Sequence, residues 1–175
     1  MRFVVTGEWK QNDLLRLVLA GFLVYVTIFW IVNFALFYAH MDLSYAGVVE
    51  HYLGSAAAFG QPRSYKVLLE VSHFHLFAMG VLILTLTHLV LFVPLPARVK
   101  AWLVVASFVS GLLDEASGWL IRFVHPAFAW AKIAAFVGLQ ASLGAMIAVV
   151  AWAVWRTPPN DYGGRNGKNG DGAPR

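Results

Sequence analysis

The chain contains no cysteine. This excludes disulfides, thiol catalysis, iron–sulfur clusters and Cys-ligated zinc within it, because each needs a sulfur donor. Charge is scarce as well: Asp, Glu, Lys and Arg make up 13% of the 175 residues, against about 25% in a soluble domain. No Walker-type phosphate loop is present, and the glycine-rich stretch Gly163-Gly164-Arg165-Asn166-Gly167 follows no strand pattern, which argues against nucleotide chemistry. Ser107 and Ser110 have no base beside them on their helix, so a nucleophilic hydrolase is disfavoured. No internal repeat is evident.

Apolar residues are what the chain has in abundance. They make up 59% of it, and the mean hydropathy is +0.67. Such a composition is neither that of a disordered chain nor that of an ordinary soluble globule. The net charge of +4 does not indicate nucleic acid, because the basic residues flank apolar runs instead of forming a face.

A bilayer core of about 30 Å needs roughly 20 apolar residues in a helix. Four stretches qualify: Leu14 to Ala39, Leu68 to Val93, Ala101 to Phe123 and Ala127 to Trp155. The first is too long for a signal peptide and lacks a small-residue cleavage site. Residues 1–156 thus read as an all-α, antiparallel four-transmembrane-helix bundle. Nine Lys and Arg residues lie on the side of the two termini and of the 94–100 link, and four (Arg63, Lys66, Arg122, Lys132) on the other. This bias predicts cytoplasmic termini in a bacterial inner membrane. Pro94 and Pro96 end the second span by removing N–H donors. Residues 157–175 hold little to bury and read as a disordered cytoplasmic tail. The external loop, 41–67, predicts a short amphipathic helix lying on the outer surface, capped by Ser44 and Gly54. The tryptophans fall mostly near span ends, as an aromatic belt does.

Ionisable groups inside a membrane are costly, about 2.5–3.5 kcal/mol each, and are candidates for function. His40, His51, Glu70, His73, His75 and His125 fall near external span ends, Asp114 and Glu115 lie deeper, and His88 alone lies toward the cytoplasm. At about 100° per residue, Glu70, His73 and His88 share one face of the second span and His75 points elsewhere. Asn33 shares a face with His40, and Glu115 with Arg122, which would neutralise it through an intervening group. Lys132 is expected to snorkel to the outer surface. Thr85, Gln140 and Ser142 are expected to bond between helices. The predicted result is an external polar pocket of His40, Glu70, His73, His75 and Glu115.

Three chemistries suit these residues. A b-type haem needs two neutral imidazoles from different helices; here His73 or His75 would be one ligand and His40 or His125 the other, with Glu70 and Glu115 accepting protons. A non-haem iron, manganese or zinc site would use the Glu70-x-x-His73 spacing, completed by Glu115 and His40. A subunit without a cofactor would hold its helices together through these groups, or relay protons from a quinol near the outer surface. The sequence leaves the three open.

His75 or His73 together with His88 on one span resembles the four-helix membrane cytochrome b subunits of bacterial respiratory chains. The separations are 13 and 15, and no other span carries a matching pair. The resemblance implies a redox subunit moving electrons between the quinone pool and a periplasmic acceptor. Its surroundings would be the lipid bilayer, a membrane or periplasmic redox partner and, as a further candidate, a second copy of the chain.

The orientation has a direct test, aided by the lack of native cysteine. Gln61→Cys should react with a membrane-impermeant maleimide added to spheroplasts, and Arg98→Cys only after permeabilisation. The reverse pattern would invert the topology.

Overall fold

The computed structural model describes residues 13–55 and 60–156. The tail called disordered above lies outside these residues. Among them there are no strands, and four helices are long and apolar enough to cross a membrane. The elements are α1 (Asp13–His40), α2 (Tyr45–Leu53), α3 (Tyr65–Leu91), α4 (Ala97–Phe123) and α5 (Ala129–Trp155), with a 3-10 turn at Pro126–Phe128. At about 1.5 Å per residue, each of the 27- and 28-residue helices extends about 40 Å, enough to cross the bilayer. The protein is a multi-pass, all-α membrane protein.

Local chemistry sets the helix ends. Ser64 starts α3 by accepting from the Val67 N–H at 3.3 Å. At its other end Lys100 Nζ donates to the Leu91 carbonyl at 2.6 Å, satisfying a terminal acceptor while Pro94 and Pro96 reverse the chain. His125 caps the turn before α5, its Nδ1 accepting from the Ala127 N–H at 3.1 Å. Ser44 starts α2 by accepting from Gly47 N–H at 3.0 Å, and Gly54 ends it at φ 77°, a backbone conformation that favours glycine.

α5 is the hub. It buries thirteen residues against four in α1, and packs on α4, α3, α1 and α2. An aromatic column fixes α1 to it: Phe37 stacks on Phe136 at 3.8 Å, and Phe34 meets both Phe136 and Trp30 edge-on. The inner core joins Leu19, Leu23, Leu86, Val90, Leu143, Met146 and Val150. A smaller one at the α2 end joins Val48, Tyr52, Leu68, Ile121 and Ala129.

Two expectations change here. α2 does more than lie on the outer surface: Val48 is fully buried and Tyr52 nearly so, so the helix docks into the bundle end over α4 and α5. Thr85 and Ser142 bond to carbonyls of their own helices, Val81 at 2.8 Å and Leu139 at 3.0 Å, and do not join helices. The hydroxyl bonding back to the preceding turn satisfies itself where no partner from another helix is in reach.

The α2 dock depends on Gly118, where an added Cβ would meet the Tyr52 ring at 2.9 Å. Gly118→Val should lower stability by about 1–3 kcal/mol through overpacking, read as a reduced Tm in detergent. Gly21→Ala, a position with open space around it, should not.

Candidate functional site

Between the two cores lies a cavity of about 410 Å³. α1 and α3 form its walls, α4 and α5 its floor, and α2 with Arg63 its roof. α1 rests chiefly on α5, so the space between α1 and α3 is left for the cavity. The volume falls in the roughly 300–1,000 Å³ range of small-molecule sites.

Glu115 is its best-organised group. The Ser72 hydroxyl donates to Oε1, and Ser72 in turn accepts from Trp119 Nε1 at 2.7 Å. Oε2 lies 3.4 Å from His75 Nδ1. Holding both oxygens fixes the carboxylate plane, and the carboxylate orients the imidazole so that Nε2 is left for another partner. The His75 side chain is half exposed while Glu115 is 15% exposed, so the ring stands between the carboxylate and the open space.

Asp114, the next residue, holds Lys132. Its carboxylate lies 2.9 Å from Lys132 Nζ, and its backbone carbonyl accepts from the same ammonium at 2.9 Å. Lys132 does not snorkel. It is 7% exposed because it sits on the face of the hub helix that meets α4.

At the roof, Arg63 N–H donates to the Tyr52 carbonyl at 3.0 Å, and Arg122 Nε donates to the Arg63 carbonyl at 2.9 Å. Arg122 also lies over the Phe123 ring at 5.1 Å. It secures the loop and does not neutralise Glu115, the reverse of the expectation, because the helix turn carries it up to the roof. The Arg63 guanidinium is 3.4 Å from His51 Nδ1, and the His51 and His40 rings are 5.7 Å apart. Burial, with Arg63 and His40 adding to it, pushes the His51 pKa from 6.5 down to about 4, so the ring is neutral at physiological pH and accepts from Arg63. Burial raises the Tyr52 phenol, partly opposed by the nearby Lys132 charge.

The residues singled out from sequence divide into two groups. His40, His75, Glu115 and Asn33 line the cavity. Glu70, His73, His88 and His125 do not. Glu70 is 59% exposed and pairs with Lys66 at 3.8 Å; His73 lies exposed against Phe74, and His88 exposed against Phe92. The stripe of Glu70, His73, Phe77, Val81, Leu84 and His88 faces out, because α3 turns Leu68, Ser72, Ile83 and Leu86 inward. The pocket therefore lacks Glu70 and His73, and the proposed four-ligand metal set is not assembled. Among the described residues no three His, Asp or Glu side chains are grouped to hold a metal ion. His125 caps the turn before α5 and is not among the residues that line the cavity.

Sequence reasoning missed Ser72, Trp119, Arg63 and the Asp114–Lys132 pair as site components. The pair had a signal: one acid and one base, each inside a span, where opposite charges are expected to find each other.

The chain belongs to the Aq_1264_TM family, a transmembrane helical domain, matched over residues 42–161. That range takes in α2 to α5, and hence the roof, floor and one wall of the cavity. No curated protein and no solved structure matches the chain.

Breaking the buried pair should be costly. Lys132→Met leaves Asp114 uncompensated and should destabilise by about 3–5 kcal/mol, whereas Lys132→Met with Asp114→Leu should recover much of the loss. Unfolding of the two variants in mixed micelles checks this.

Proposed function

We propose that this chain is a redox subunit of the bacterial cytoplasmic membrane. It takes a quinol from the lipid phase into the outer-half cavity, receives its protons and hands its electrons to a periplasmic haem or iron–sulfur protein. The observation that carries this reading is the His75–Glu115 pair, held on both carboxylate oxygens and facing a cavity of the size of a ring ligand. A base oriented by a carboxylate and within reach of a ligand hydroxyl is what proton removal requires. On oxidation the two O–H bonds of the hydroquinone break. One hydroxyl proton passes to the His75–Glu115 pair and leaves past His40 and His51 at the roof, the other passes to water, the two electrons go to the partner, and the ring becomes a quinone. The apolar lining from Phe29, Val32, Leu36, Val71 and Phe74 suits the ring and its tail.

A second reading, an external-side b-type haem, is favoured by one observation: His40 and His75 line the same cavity from different helices, the disposition that bis-imidazole ligation needs. Here too the function is electron transfer between the quinone pool and an external acceptor.

Two measurements on detergent-purified protein test these readings. Ubiquinone-1 should bind the native chain, and His75→Ala and Glu115→Gln should each weaken binding about tenfold or more, the worth of one charge-assisted hydrogen bond. Binding unaffected by either change, or absent, overturns the quinol reading. A sharp α band in the reduced-minus-oxidised spectrum that is lost in His40→Ala and His75→Ala supports the haem, and a featureless spectrum removes it.

A further inference from the structure

Gln140 is 2% exposed, yet both its side-chain Nε2 and Oε1 lack a protein partner among the described residues. It lines the cavity, and its backbone carbonyl accepts from Trp30 Nε1 at 3.0 Å, which fixes this turn of α5 against α1. Burying a primary amide without partners is unfavourable. The neighbouring polar groups of the layer are matched: Ser72 with Glu115, and Asp114 with Lys132. A buried, unpartnered amide on a residue that lines a cavity points to a partner that comes from outside the chain.

Its depth in the bundle says what kind. Lys132 is level with Asp114, and Gln140 follows it by eight residues, about 12 Å deeper along α5. Helical side chains lean toward their own N-terminus. α4 and α5 are antiparallel, so Glu115 leans inward and Gln140 leans outward. Both line the cavity, and their side chains lean toward each other along it.

We propose that Gln140 is the second polar anchor of the ligand, holding the ring oxygen opposite the one that meets His75 and Glu115. This rests on the quinol reading above and makes it more specific: the occupant is a ring with oxygens at opposite ends, a para-quinone or its hydroquinone. A carboxamide is suited to that position because it offers both an N–H donor and a carbonyl acceptor. It donates to the carbonyl of the oxidised ring and accepts from the hydroxyl of the reduced one, with no change of charge. The His75–Glu115 pair takes the proton at one end; Gln140 positions the oxygen at the other end in both redox states, and the proton of that hydroxyl passes to water.

Gln140→Leu separates this role from a structural one. The substitution replaces an unpartnered buried amide with a side chain of similar size, so the ligand-free Tm should hold or rise, while affinity for ubiquinone-1 should fall about tenfold. A methyl ether of ubiquinol-1, blocked at one oxygen, should lose this dependence and bind both proteins alike. If Gln140→Leu binds ubiquinone-1 as tightly as the native chain, the amide is satisfied by water and the inference fails. If it lowers the ligand-free Tm and leaves affinity unchanged, Gln140 is structural and the inference fails again. If the native chain binds no ubiquinone-1, the quinol reading itself falls, and that outcome is distinct because it does not involve the variant. Loss of binding in His75→Ala but not in Gln140→Leu leaves the quinol reading standing and overturns the second anchor alone.

Discussion

The buried contact between Lys132 and Asp114 sets the frame for the rest of the molecule. An ammonium and a carboxylate withdrawn from both water and lipid must meet with good geometry or cost several kcal/mol. Here Lys132 Nζ meets both the side chain and the main-chain carbonyl of Asp114, which permits one register between α4 and α5. That register puts Glu115, one residue on, toward α3, where Ser72 and His75 meet it. It also brings Gly118, one turn further, beneath Tyr52. Cavity floor and roof both follow from one ion pair on the hub helix.

Lipid chains are as apolar as leucine, so burying apolar side chains gives little drive for helices to associate in a bilayer. The association here relies on close approach and specific contacts. Gly138 comes near Ser110, Gly144 near Trp30 and Gly111 near Ile83, so α5 approaches both α4 and α1 through small residues, and α4 approaches α3 in the same way. α1 and α3 lack such contacts with each other; α1 is held by α5, and α3 by α4 and α5. The space between them is what remains when two outer helices are fastened to the α4–α5 centre.

Local chemistry and site chemistry are kept apart along α3. Its outward stripe carries Glu70 and His73 near the surface, satisfied by Lys66 and by an aromatic edge. Its inward stripe carries Ser72 and, at the margin, His75. The two histidines are two residues apart and meet different surroundings, one exposed beside Phe74 and one aligned by a carboxylate from another helix. The Glu-x-x-His spacing is therefore a feature of the helix surface here, formed by residues that share a face but not a neighbour.

What the amino-acid order determined alone is the helical membrane architecture: four spans, their antiparallel succession and the residues that end them. Span length and hydropathy are set by bilayer thickness, and caps such as Ser44 and His125 act within a few residues of chain. Which of several titratable groups met was decided only by the tertiary structure. Angular arithmetic gives each helix its faces but not the rotation at which it docks, and a turn of α3 about its axis exchanges His75 for His73. That rotation was fixed by contacts between residues far apart in the chain, Ser72 with Glu115 and Trp119. The isolation of Gln140 was equally out of reach, because whether a buried amide finds a partner depends on every element packed around it.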